Sequence, residues 1–284
     1  MTLEPTPEQR HRFQSIPQGP LALVQFLAIQ DQSAFVGYRQ ASEGVVEAEG
    51  GVRTHDVRID QFFAGGEMSF QAITVDRLPH KESALAVLEA VSAERQEALS
   101  QVYALAVRPQ DGRPKLVKAL GFLSPILTRV LGTNTEKAMT GFGEIANPQT
   151  GPVPETVAEM RSHDQSTPFY MMNLNKYYAQ AHYASGDDIS GEEAYNRYAG
   201  RIAPYLVSVG GYPDIIGPVI GTLAGDPSSF LHDAWSEFAM VYYPCRRDFI
   251  NMMSNSPKKG VHHRDAGLQR AVLMPSSDWA EGIQ

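Results

Sequence analysis

The sequence predicts an α+β fold made of two tandem copies of one β-α-β-β-α-β unit, and three observations predict it. Residues 21–109 and 169–275 both run as apolar strand, amphipathic helix, two strands, Pro-led helix and a last strand closed by Pro. Paired punctuation keeps register between the copies: Gly50-Gly51 answers Gly210-Gly211, Pro79 answers Pro244, and Pro109 answers Pro275. The apolar runs have strand length, and the segments between them carry helix caps and stops. Internal repetition on this scale dictates architecture before any single residue does.

Residues 1–19 are polar and Pro-bearing, which suits an exposed leader. Residues 21–28 form a short apolar strand; Asp31 or Ser33 then caps a helix that Gly50-Gly51 stops. Residues 52–63 and 68–78 read as a hairpin around Ala64-Gly65-Gly66-Glu67, because Gly supplies the backbone angles such turns demand. A helix from Pro79 to about Ser92 and a strand over 102–107 complete the first unit, residues 20–109. The second unit, residues 168–275, repeats the order with strands at 169–175, 212–222, 235–243 and 268–274 and helices at 191–209 and 246–254. It carries about a dozen extra residues after its first strand, 176–188, and long insertions of this kind are often lids or binding loops. The connector, residues 110–167, opens with one amphipathic helix whose stripe is Leu116, Leu120, Leu123, Leu127 and Val130, expected to lie over the core; residues 276–284 are a tail. The order β-α-β-β-α-β is the ferredoxin-like unit, an antiparallel sheet with both helices on one face. Two such sheets, in one chain or across a homodimer, can face each other as an α/β barrel with a central cavity.

Composition narrows the partners. Of 284 residues, 43% are apolar and 20% charged, ordinary for a chain able to bury a core. Lys and Arg number 24 against 32 Asp and Glu, a net charge of -8, with no dense basic stretch, so nucleic acid is not an expected partner. No apolar run reaches the length of a membrane span, so no membrane is expected either. One cysteine, Cys245, forms no internal disulfide and points to the cytoplasm.

In the second unit, Tyr242-Tyr243-Pro244-Cys245-Arg246-Arg247-Asp248-Phe249, Asn255-Ser256-Pro257 and His262-His263-Arg264-Asp265-Ala266-Gly267-Leu268 resemble the domain-of-unknown-function family 1330 of the dimeric α/β-barrel superfamily. The resemblance covers about 110 residues of that unit, the first unit more faintly, and leaves the connector unexplained. It implies the barrel. It does not choose an activity, since the superfamily includes cofactor-free monooxygenases, polyketide cyclases, isomerases and haem enzymes. The spacing from Phe249 to His262 is that of the iron-binding histidine in haem-degrading members, which implies His262 as a haem ligand; an asparagine facing the cavity from the first strand is likewise implied.

From the residues themselves, His262 and His263 are candidate catalytic groups, because imidazole moves protons near neutral pH. The same pair, near a helix end, suits solvent equally well. With Asp265 they could offer metal ligands, but neighbours so close in sequence rarely converge on one ion, and no metal is expected. Arg264 beside them is a candidate substrate contact. Alternation puts Asn173 and Asn175 on one strand face and Gln25 on the matching face of the first unit, and a buried amide needs a partner: a ligand oxygen, a neighbouring strand or water. Trp235, Tyr242 and Tyr177 suit a flat, partly polar ligand, or plain core packing. Arg246 could balance a carboxylate or enolate, or simply pair with nearby acids. The expected function is a cofactor-independent enzyme (isomerase, lyase, cyclase or monooxygenase) acting on a small apolar, oxygenated or aromatic metabolite in the barrel cavity of the second unit. His262 or His263 would move the proton, the two asparagines would orient an oxygen, and Arg246 would balance charge. The alternatives are a haem enzyme and a non-catalytic small-ligand-binding or assembly protein.

Overall fold

The computed structural model describes residues 3–66, 69–136, 149–256 and 258–279. The leader is not a loose arm. Thr6 caps helix α1 (Pro7–Gln14) in a capping box with Gln9, and Phe13 and Ile16 are buried against the first unit. That unit then runs β1 (Leu21–Ile29), α2 (Gln32–Ala48), β2 (Val52–Ile59), β3 (Ala72–Leu78), α3 (Lys81–Ala90), α4 (Ser92–Ala98) and β4 (Leu99–Val107). Asp31 caps α2, accepting from the backbone N–H groups of Ser33 at 2.8 Å and Ala34 at 3.0 Å. Gly50 (φ 73°) and Gly210 (φ 75°) make the left-handed stops that give the repeat its register.

The connector holds α5 (Gly112–Ala119), a 3-10 turn (Leu120–Leu123), α6 (Ser124–Leu131) and α7 (Pro154–Ser162), so its single expected helix is a broken pair followed by a third. The second unit follows as β5 (Phe169–Tyr177), α8 (Gly191–Ser208), β6 (Tyr212–Ala224), β7 (Glu237–Tyr243), α9 (Arg246–Asn255), α10 (Lys258–Gly267) and β8 (Leu268–Asp278). Helix α10 has no counterpart in the expected plan, and β8 runs on into the expected tail.

The sheets close on each other within one chain. The strands form a closed barrel in the order β1-β3-β2-β8-β5-β7-β6-β4, each half in ferredoxin-like order, with β2·β8 and β4·β6 as the antiparallel seams between units. The expected hairpin of β2 and β3 is present, the two strands pairing antiparallel from Val52 opposite Arg77 to Arg58 opposite Ala72, but its loop is longer than the expected turn and crosses to the second unit. Phe63 N–H donates to Leu273 O at 2.7 Å, and Phe62 and Phe63 pack on Phe230 and Phe249, because burying two aromatics draws residues 60–66 onto the second unit; Glu67 of the expected turn lies outside the described residues.

Alternation sends Val24, Phe26, Val75, Leu105, Met172, Leu174, Phe238, Met240, Val272 and Met274 inward. These side chains pack into one buried cluster inside the barrel. An eight-stranded barrel has room for little beyond its own side chains, and burying each one stabilises the fold by about 1.5–3 kcal/mol. The opposite faces of the two sheets lie under the helices.

Candidate functional site

The cavity lies on that helix-covered face of the second unit. Its volume is about 490 Å³, within the range of small-molecule pockets. Met171, Asn173, Glu237, Ala239 and Val241 form its floor on β5 and β7; Tyr195, Tyr198, Ile202 and Leu206 of α8 form one wall; Met252 of α9 and Val261 and Arg264 of α10 form another; Arg113, Leu116 and Val117 of α5 stand at its edge. The lining is mainly apolar with a few polar groups that converge from different elements.

Glu237 is the chemical centre. It begins β7, where the period of two places it on the same face as Ala239 and Val241. Tyr177 O–H donates to its Oε1 at 2.8 Å, and Asn175 Nδ2 donates to the same oxygen at 3.3 Å. Among the described residues no hydrogen bond falls on Oε2 and no basic side chain forms an ion pair with Glu237. Burial pushes its carboxyl above the ordinary carboxylate range, against the opposing pull of the Tyr177 and Asn175 hydrogen bonds and of the Arg113 charge. Burial also raises the phenols of Tyr177, Tyr195 and Tyr198, the first of them further through the negative charge of Glu237, so all three stay protonated at neutral pH and act as donors.

Several residues singled out from the sequence sit elsewhere. Positions 261 and 264 of α10 face the cavity, and the 3.6-residue period turns His262 and His263 away from them. His262 is exposed, its ring against Tyr183. His263 Nδ1 shares a 2.6 Å hydrogen bond with Tyr183 O–H, and burial lowers its imidazole. Neither imidazole reaches the cavity, so the proton-transfer role and the iron-ligand role expected of His262 do not fit this geometry. No histidine or cysteine lines the cavity among the described residues. The insertion over 176–188 is a clasp: Tyr178 N–H donates to Gly267 O at 3.0 Å and His182 N–H to Ala266 O at 2.9 Å, which ties it to α10.

Arg246 is structural. Its buried guanidinium pairs with the buried Asp60 of the first unit, donates to Ser277 Oγ at 3.1 Å and lies over the Phe169 ring, so it bolts the seam between units. Trp235 belongs to the barrel interior and donates to Leu231 O at 2.8 Å. Tyr242 stacks on Tyr212 at 4.9 Å, also away from the cavity. Gln25 is wholly buried in the first unit, donating weakly to Thr74 Oγ1 at 3.4 Å and Asp76 Oδ2 at 3.5 Å.

Asn173 and Arg264 do line the cavity, and Tyr177 and Asn175 act on it through Glu237. Asn173 has no donor to spare: its Nδ2 donates to Met171 O at 2.9 Å and Ala239 O at 3.5 Å, so it offers a ligand only its carbonyl. The phenols of Tyr195 and Tyr198 on α8 line the same cavity. Glu237, Tyr195, Tyr198 and Arg113 are not among the residues that sequence reasoning selects. The available signal is one carboxylate inside an apolar strand, facing the same way as the asparagines, and an aromatic pair at i, i+3 on α8.

In comparisons with solved structures the chain is similar to a protein of unknown function from Rhodopseudomonas palustris, with 24% identity over 45% of this chain and 94% of that one and a TM-score of 0.39. It is also similar to chlorite dismutase from Candidatus Nitrospira defluvii in complex with imidazole, with 11% identity over 94% of each chain and a TM-score of 0.46. A protein of Lactobacillus acidophilus assigned as a monooxygenase is similar at 9% identity over 91% of this chain and 93% of that one, with a TM-score of 0.41. No family model and no curated protein matches the chain. The α+β fold with its closed eight-stranded antiparallel barrel is read from this chain's own strand pairings.

Proposed function

We propose that the second unit is a cofactor-free enzyme that removes a proton from carbon beside a carbonyl in a small, largely apolar metabolite, and that Glu237 is the base. The observation that carries this reading is a carboxylate in the wall of an apolar cavity, held at one oxygen by Tyr177 and Asn175 and free of hydrogen bonds at the other. Two neutral donors fix the carboxylate without the full counter-charge that would strip it of basicity, and burial raises its proton affinity toward working pH. The proton passes from the substrate carbon to Oε2. The enolate oxygen that forms takes hydrogen bonds from Tyr195 and Tyr198, with the Arg264 guanidinium adding positive potential to that wall. Isomerase, lyase and cyclase reactions all begin this way, and the apolar lining favours an aromatic or cyclic skeleton. We also read the second unit as a divergent relative of family 1330; that placement rests on the quoted motifs alone.

The test is deuterium incorporation followed by NMR for a panel of aryl and cyclic ketones in D2O with the intact chain. The expected result is catalysed exchange at the carbon beside the carbonyl, slowed about 10²- to 10⁴-fold by Glu237→Gln and unchanged by His262→Ala. Exchange that survives Glu237→Gln, or that is lost with His262→Ala, would sink the assignment. The rate should rise with pH through a value above the usual carboxylate range, since the ionised form is the base.

A further inference from the structure

Helices α5 and α6 present an unusual surface. Among the described residues five large apolar side chains are exposed, and four of them are here: Leu116 at 63%, Phe122 at 76%, Ile126 at 63% and Val130 at 74%. Phe122, Ile126 and Val130 follow at four-residue spacing and share a side. The stripe expected to cover the core is Leu116, Leu120, Leu123, Leu127 and Val130; in the structure Leu120, Leu123 and Leu127 are half-buried, while Leu116 and Val130 join a second apolar stripe that has no cover. Isolated exposed apolar residues are ordinary, whereas a group rimmed by charge marks an interaction surface.

Charge identifies the occupant. Residues 112–131 carry Arg113, Lys115, Lys118 and Arg129 and no acidic residue, in a chain whose net charge is -8, and all four are exposed. A basic amphipathic helix pair with protruding Phe, Ile and Val side chains has the pattern of a segment that lies in a bilayer interface, its apolar side in the acyl boundary and its cations among anionic headgroups. Two copies of the surface brought face to face would set these cations against each other, which disfavours a symmetric dimer here. No described helix is long and apolar enough to cross a membrane, and lying on one requires no such helix.

We propose that α5 and α6 seat the protein on anionic phospholipid membranes. Leu116 belongs both to this surface and to the cavity edge, so the seat places the cavity beside the bilayer, where apolar metabolites concentrate. The seat stands independently of the chemistry assigned to Glu237.

The experiment is cosedimentation of the intact chain with vesicles of phosphatidylcholine mixed with phosphatidylserine, and with phosphatidylcholine alone, alongside sedimentation velocity without lipid. The expected result is binding to the mixed vesicles that weakens with salt and with Lys115→Gln/Arg129→Gln. Phe122→Ser/Ile126→Ser should lower it roughly tenfold or more at unchanged melting temperature, since both side chains are already in water. Glu237→Gln should leave it intact. A wild-type chain that ignores mixed vesicles overturns the proposal, as does binding indifferent to Phe122→Ser/Ile126→Ser. A lipid-indifferent dimer that these substitutions convert to monomer overturns it too, and assigns the surface to a second copy of the chain.

Discussion

The helix-covered faces of the two units start from one plan and end differently. The strand pairings put Leu27 opposite Ala72 in the first unit and Asn175 opposite Glu237 at the matching place in the second. The first unit does bury a carboxylate on this face, Asp76, two pairs along, where the second unit has Val241. The Arg53 guanidinium grips Asp76 with Nε at 2.8 Å and Nη2 at 3.2 Å, and further bonds run to Ser42, Gln25 and Tyr38. That network is largely buried and occupies the positions whose counterparts in the second unit, Asn173, Pro213 and Val241, line the cavity. A carboxylate gripped by a guanidinium is locked in place with both oxygens taken, whereas one held at a single oxygen by a phenol and an amide keeps the other to use.

Breaking each carboxylate's partnership gives the largest contrast. Arg53→Met leaves Asp76 buried and unpaired and should cost about 3–5 kcal/mol in urea unfolding, most of it recovered by adding Asp76→Leu. A single variant as stable as the wild-type chain would mean that the first unit tolerates an open site. Glu237→Gln should cost far less, because its neighbours in the floor are already a cavity.

Burial raises both carboxyls, Asp76 against the pull of Arg53 and Glu237 against that of Tyr177 and Asn175, so a variant at Glu237 isolates the second unit's share of the response to pH. Glu237 has a folded pKa raised above its unfolded value, so between those values the native state binds more protons than the unfolded chain. Its contribution to stability therefore falls as pH rises across that window. Chemical denaturation at several pH values should show the downward slope in the wild-type chain and a flatter profile in Glu237→Gln, and identical profiles would show that Glu237 is better solvated than its surroundings imply.

The smallest effect is expected at the histidines. His262→Ala, at an exposed position, should shift stability by no more than about 0.5 kcal/mol. Addition of haemin should produce no absorbance band that depends on His262. A band removed by His262→Ala would bring back the iron-ligand role and require α10 to turn.

Much of the fold is legible in the chain's own punctuation. The paired Gly-Gly and Pro landmarks and the strand-length apolar runs specify two β-α-β-β-α-β units, and Asp31 and Gly50 bound α2 to within a residue or so. Local rules suffice there because caps and left-handed stops act within one turn of chain. The site is less legible. Asn173 lies in the cavity floor, but its donors go to Met171 and Ala239, partners that only strand pairing supplies. The expectation for His262 fails because residues 258–267 form a helix that the repeat does not announce, and one residue of helical rotation is enough to turn a side chain from cavity to solvent.

The sequence by itself determined the repeat, the alternation within each strand and the absence of a dense basic or membrane-spanning run. Tertiary structure alone decided that the sheets close within one chain, which side chains cluster inside the barrel and that a cavity lies under the helices of the second unit. The physical reason is that alternation tells which residues share a face but never what covers it. That is settled by long-range packing: Arg246 on Asp60, Phe63 on Phe249, and the Arg53–Asp76 pair on one face where the other carries a cavity.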